Sequence, residues 1–271
     1  MPNSENRPVL VLSDPRTLRR VLVLLICLAF ALQGSYIIGP TGPSPITPSL
    51  GTPKFIQGFE AHTLTVPASF SGSFSSLPAV GDIVVVFPPT GNDGSASNGL
   101  TMSVTDNQGS GNGNGYSRLV MNPVNTGSVP RMSIWCAAVV VSSGTFTITM
   151  SEGSNMIPGM MALEYSGTSC NPDRWANGSG ATSPYGCGSI TTNNPKDLVL
   201  VAINASTSVL PVTFTTPTGF TPRLSQTDST LGLVGAIADN IVSAVNTFTP
   251  TYGTGQNHAN TPCSVVALLS Q

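Results

Sequence analysis

RMSIWCAAVVV, running from Arg131 to Val141, is the stretch whose reading decides the fold. Taken two at a time, Met132, Ile134, Cys136, Ala138 and Val140 share one face. Arg131, Ser133 and Trp135 lie on the other, which also turns apolar at Ala137. The spacing predicts a central strand. A strand with one wholly apolar face and one mostly apolar face needs cover on both sides, so at least one further layer must pack on it.

The flanking chain repeats the pattern. Phe59 to Val66 alternates polar and apolar residues up to Pro67, and Asp82 to Phe87 is apolar almost throughout and closed by Pro88 and Pro89. Leu100, Met102 and Val104 share a face, and Asp106 to Gly115 has no apolar residue and reads as a turn or loop. Tyr116 to Met121 restarts the sheet, Phe146, Ile148 and Met150 alternate with threonines, and Met161, Leu163 and Tyr165 share a face. Leu198 to Ile203, Val212 to Thr216, Leu231 to Ala238, Thr247 to Tyr252 and Cys263 to Leu269 complete the set. About eleven short strands with turn residues between them predict an all-β, two-sheet antiparallel sandwich of jelly-roll type. No stretch past residue 39 has helical periodicity.

Composition agrees with that class. Charged residues are 8% of the chain, hydrophobic residues 40%, and there are 28 glycines and 23 prolines among 271 residues. One β domain over residues 57–271 accounts for this best. Ten acidic and six basic residues follow Ala31, so the clustered positive charge that gathers phosphates is missing and nucleic acid is disfavoured as a partner.

At the amino terminus, residues 17–34 place a basic pair, Arg19 and Arg20, before an apolar run of signal-peptide length, with Ala29 and Ala31 as the small residues a peptidase reads. Residues 1–34 are expected to be a signal peptide or an uncleaved signal anchor. From 35 to 56 the chain carries prolines at 40, 43, 45, 48 and 53, which fix an extended arm or spacer. Membrane attachment is expected only through the amino-terminal segment.

Four cysteines follow it: Cys136, Cys170, Cys187 and Cys263. An even number in an exported chain points to disulfides, for which three pairings are possible. Cys170 and Cys187 bracket a loop, and Cys136 and Cys263 each lie on the apolar face of a predicted strand, so these two pairings are favoured. No close Cys/His spacing suits zinc.

A search for chemistry finds little. His62 and His258 lie in no metalloprotease motif and read as surface or turn residues, and neither a nucleophile elbow nor a phosphate-cradling glycine loop is present. Glu164 stands on a strand without a second acid at a matching position, as a glycosidase would need, and is expected to face solvent or be hydrogen-bonded. The chain is expected to be no enzyme and to need no cofactor. Asp106, Asn107, Asn112 and Asn114 would offer oxygens to a hard cation, but only one is a carboxylate. Trp175 and Tyr185 lie between Cys170 and Cys187 and could stack on a sugar ring or fill a pocket on another subunit, with Tyr116 as a third aromatic contact. Asn177-Gly-Ser and Asn204-Ala-Ser match the N-glycosylation pattern.

The succession GDIVVVF, VTDNQG with NGY close behind, SIWCAAVV, FTITMS, MALEYSG and KDLVLVAI resembles a recurrent β-sandwich module of secreted bacterial surface proteins, from about Phe59 to the end. The resemblance implies a sandwich at a cell surface and carries over no catalytic residue, since such modules are mostly uncharacterised. This chain departs from it by extra glycines and asparagines after Asp106 and by its four cysteines. Export, low charge, Ser/Thr/Asn-rich faces and an extended arm together lead us to expect a non-enzymatic structural protein, extracellular or on the cell surface, that assembles with copies of itself into a fibre or appendage. The alternative is a carbohydrate-binding or adhesive module that holds surface glycans through exposed aromatics.

Overall fold

The computed structural model describes residues 51–63, 69–89, 102–109, 113–122, 132–151, 159–206, 212–228, 233–258 and 261–271. The leader, the arm up to residue 50, Leu100, Asn112 and Leu231 lie outside them. The described residues are all-β and antiparallel, with eighteen strands in several sheets and no helix. Lys54, Phe55 and Ile56, expected in the arm, belong to the first strand.

The strands fall into two runs. The first is β1 (Lys54–His62), β2 (Ser69–Ser73), β3 (Ile83–Phe87), β4 (Ser103–Asp106), β5 (Ser117–Asn122), β6 (Met132–Ala138), β7 (Thr147–Ser151) and β8 (Gly159–Ser166). It forms a five-stranded sheet, β1-β8-β3-β6-β5, and a three-stranded sheet, β2-β7-β4. Gly167, in the left-handed region at φ 68°, turns the chain into the second run. This is β9 (Thr168–Gly180), β10 (Tyr185–Gly186), β11 (Ile190–Thr191), β12 (Leu198–Ser206), β13 (Phe214–Thr215), β14 (Thr221–Asp228), β15 (Leu233–Ile241), β16 (Thr247–Phe248), β17 (Thr251–Thr254) and β18 (Thr261–Ser270). Its five-stranded sheet is β14-β15-β12-β18-β9, and its smaller sheets are β10-β17-β13 and β11-β16.

The second run repeats the first. Strand for strand, β9, β18, β12, β15 and β14 take the places of β1, β8, β3, β6 and β5. The agreement extends to single hydrogen bonds. The Gly81 amide donates to Val139 at 2.9 Å and the Lys196 amide to Val242 at 2.8 Å, while Val139 and Val242 donate to the carbonyls of Asp82 and Asp197. The pairing of β5 with β6 slips between Arg118 and Val120, and that of β14 with β15 slips at the matching place, between Pro222 and Leu224. The described strands from Lys54 to Ser270 are therefore one structural unit present twice.

The layers explain why the central strands are apolar on both faces. Ile83, Val85 and Phe87 of β3 pack with Leu198, Leu200 and Ala202 of β12, so the two five-stranded sheets share one core. Val84, Val86 and Trp135 face β2-β7-β4 on the other side, and Val199, Val201 and Ile203 face the smaller sheets of the second half. The order is small sheet, large sheet, large sheet, small sheet. β1 lies against β14 as β9 lies against β5, a reciprocity that relates the halves by an approximate two-fold. The expected two-sheet sandwich of about eleven strands is corrected accordingly: there are four layers, because each large sheet has two apolar faces and one partner covers only one of them. Residues 132–141 behave largely as read, with Met132 to Ala137 buried on both faces. The strand ends at Ala138, and Val140 is exposed.

Candidate functional site

Two carboxyl pairs occupy the starts of the two central strands. Asp82 precedes β3 and lies beside Glu164 of β8. Glu164 is buried, its Oε2 accepting from Gln57 Nε2 at 2.6 Å and its Oε1 from the Ala79 amide at 2.8 Å. Burial, with the Glu164 carboxyl second, pushes the Asp82 carboxyl up to about 6. Asp197 holds the equivalent place before β12, is wholly buried and lies beside Asp173 of β9, which accepts from Asn193 at 2.6 and 2.7 Å. Burial, with the Asp173 carboxyl second, pushes Asp197 up to about 6 as well. Each pair can hold one proton in mildly acid solution, but a substrate has no route to Asp197 at 0% exposure. Glu164, expected to face solvent or be hydrogen-bonded, is buried and hydrogen-bonded, whereas Asp82 and Asp197 were not among the residues the sequence singled out. The available signal was Gly81-Asp82-Ile-Val and Lys196-Asp197-Leu-Val, an acid ahead of an apolar run at two places in the chain.

Between the halves, the Tyr165 hydroxyl donates to Asp239 Oδ2 at 2.7 Å and Arg223 Nε donates to the same oxygen at 2.7 Å. The Arg223 guanidinium stacks on Phe55 at 4.3 Å, and Phe55 meets Tyr165 edge-on at 5.6 Å. Burial, then the Asp239 carboxylate, hold the Tyr165 phenol far above its ordinary range, so it stays a donor.

The predicted site residues scatter. Trp175 lies on β9 rather than a loop and is 54% exposed. Tyr185 is fully buried in the second half, its ring beside Cys187 and Tyr252, so the expected Trp175/Tyr185 platform does not form. Tyr116 packs half-buried against the first half's outer core, where burial and then Asp106 push its phenol far up. The four cysteines are all disulfide-bonded, but as Cys136–Cys170 and Cys187–Cys263. The expected pairing fails because Cys136 faces the core between the large sheets while Cys263 faces the opposite side of its own sheet.

The Asp106 carboxylate is taken up by its own loop: Oδ1 accepts from the amides of Gln108 and Asn114 at 3.0 and 3.2 Å, and Oδ2 from Asn114 Nδ2 at 2.9 Å. Asn107 Oδ1 accepts from the Thr147 amide, and Asn114 Oδ1 from those of Val140 and Val141. Among the described residues no group of three or more His, Cys, Asp or Glu could hold a metal. His62 is exposed, as expected, whereas His258 is buried, and burial lowers its pKa. Of the two glycosylation patterns, Asn177 donates its amide to the Met121 carbonyl at 2.9 Å and Asn204 is fully buried.

The outermost strands carry hydroxyl rungs in both halves. Ser71 pairs with Thr149 and Ser73 with Thr147, each at 2.8 Å, and the equivalent rungs are Ser189–Thr249 at 3.1 Å and Thr191–Thr247 at 2.9 Å. No family model, curated protein or solved structure matches this chain. Its two disulfides suit an oxidising compartment, extracellular or periplasmic.

Proposed function

We propose that the chain is a non-enzymatic structural protein of the cell exterior, each half a jelly-roll variant, that assembles with copies of itself into a fibre or surface appendage. The observation that carries this reading is an apolar patch at one end of the first half. Val80 and Val140 flank the hydrogen-bonded pair Gly81 and Val139, and they are 66% and 65% exposed. Val141 adjoins Val140 and is exposed as well. In the equivalent loop of the second half Val245 is also exposed. Grouped valines at the surface favour contact with another protein surface. The resemblance to bacterial surface modules and the disulfides support the location.

Sedimentation velocity and negative-stain microscopy of the secreted protein test this. Assembly that is lost in Val80→Asp with Val140→Asp is the expected result, and dispersed wild-type monomers at every concentration would overturn it. A second reading, glycan adhesion, is favoured by the exposure of Trp175 alone. It requires saccharide-dependent quenching of tryptophan fluorescence that Trp175→Ala removes.

A further inference from the structure

The two halves differ where the first carries a stacked side-chain plug. In β6, Trp135 lies opposite Val86 and Arg118, its Nε1 donates to Ser133 Oγ at 2.9 Å, and the Arg118 guanidinium covers its ring at 5.6 Å. The register of the second half puts Ala238 opposite Val201 and Pro222, and Ala236 in the place of Ser133. Indole, guanidinium and hydroxyl are thus replaced by two methyl groups and a proline ring. Beside them, between β13 and β14, lies a partly enclosed cavity of about 250 Å³ lined by Pro222 and Ala236 among others. At ~30 Å³ per water it has room for about eight waters, and it is smaller than the ~300–1,000 Å³ typical of drug-sized sites.

We propose that this cavity of the second half is a binding site for a neutral sugar of one ring, a monosaccharide or the terminal residue of a glycan. Its walls have the required chemistry. Phe214, half-buried and edge-on to the buried Tyr252 at 6.0 Å, supplies the apolar side on which a pyranose face can lie. Ser225 and Thr227 of β14 and Thr213 and Thr216 beside β13 supply hydroxyls that both donate and accept. Among the described residues no carboxylate lines the cavity, and the cation that does, Arg223, is already bonded to Asp239 and stacked on Phe55. A charged ligand therefore finds no counter-charge, whereas a polyol finds hydroxyl partners. This site is separate from Trp175 and does not depend on self-assembly.

The test is saturation-transfer NMR of the full chain with methyl glycosides of glucose, galactose, mannose and N-acetylglucosamine at millimolar concentration. Transfer to at least one sugar is expected. It should weaken about tenfold in Ala236→Phe, which fills the cavity, and in Ser225→Ala with Thr227→Val, which removes hydroxyls from an exposed strand face. No transfer to any of the four sugars overturns the proposal, as does transfer that survives the hydroxyl variant. That variant decides the matter if Ala236→Phe fails to fold.

Discussion

Tyr165 ends the first half's core sheet with its hydroxyl 2.7 Å from the Asp239 carboxylate of the second half, and both side chains are buried. Asp239 stands where the first half has Cys136, since each lies opposite the first residue of its edge strand, Thr221 or Ser117. The two-fold thus carries a hydrogen-bonded ion pair at one position and a disulfide at its counterpart. Tyr165→Phe removes one donor and should cost about 1–2 kcal/mol. Asp239→Ala leaves the Arg223 guanidinium without its carboxylate and should cost about 3 kcal/mol or more. Chemical denaturation of both variants measures the two costs, and equal losses would refute the ranking.

Cys136–Cys170 joins the halves across 34 residues, whereas Cys187–Cys263 closes 76 residues within the second. Chain entropy assigns each about 4 kcal/mol. Their consequences should differ in kind. In calorimetry, Cys136→Ser with Cys170→Ser should separate one transition into two, and Cys187→Ser with Cys263→Ser should lower the melting of the second half. A single undivided transition in the first variant would show that the shared apolar core alone couples the halves.

Gly81 and Lys196 occupy equivalent turns at φ 98° and 69°, and Lys196 is the non-glycine residue with positive φ among those described. A Cβ on Gly81 would meet nothing within 4 Å, so Gly81→Ala reports the backbone cost alone. It should destabilise by about 1 kcal/mol, and Lys196→Gly should stabilise by a similar amount. Thermal melts of the two variants should therefore shift in opposite directions.

The carboxyl pairs set a pH dependence. Asp197 has a folded pKa of about 6 against 3.8 for the free side chain. Because the folded value is raised, its stabilising contribution is complete below about 3.8 and is lost as pH rises through about 6. Asp197→Asn resembles the protonated form. It should match the wild type near pH 4 and exceed it by about 2 kcal/mol at pH 8. A stability difference that stays constant with pH would mean that Asp197 does not titrate in this window.

How much was legible beforehand follows from what period two can report. Apolar patterning gave the strands β3, β6 and β12 closely, and the run Ile83-Val-Val-Val-Phe87, apolar throughout, is buried along its whole length. Thr168–Gly180 was missed as a strand because its Asn, Pro, Asp and Gly residues carry turn chemistry, and β9 forms only because β18 offers a full-length edge to pair with. Asp82 and Asp197 were passed over because a carboxyl becomes unusual only when its neighbours are known, and Glu164 and Asp173 reach them from other strands.

By itself the sequence determined the class: alternating and continuous apolar runs between Gly and Pro turns can be buried only in layered sheets. Tertiary structure decided which layer covers each face, and with it the duplication, the disulfide pairing and the cavity beside Pro222 and Ala236. The reason is geometric. Side-chain alternation tells that Cys136 and Cys263 each point off a sheet, but the space each points into is made by strands distant in the chain.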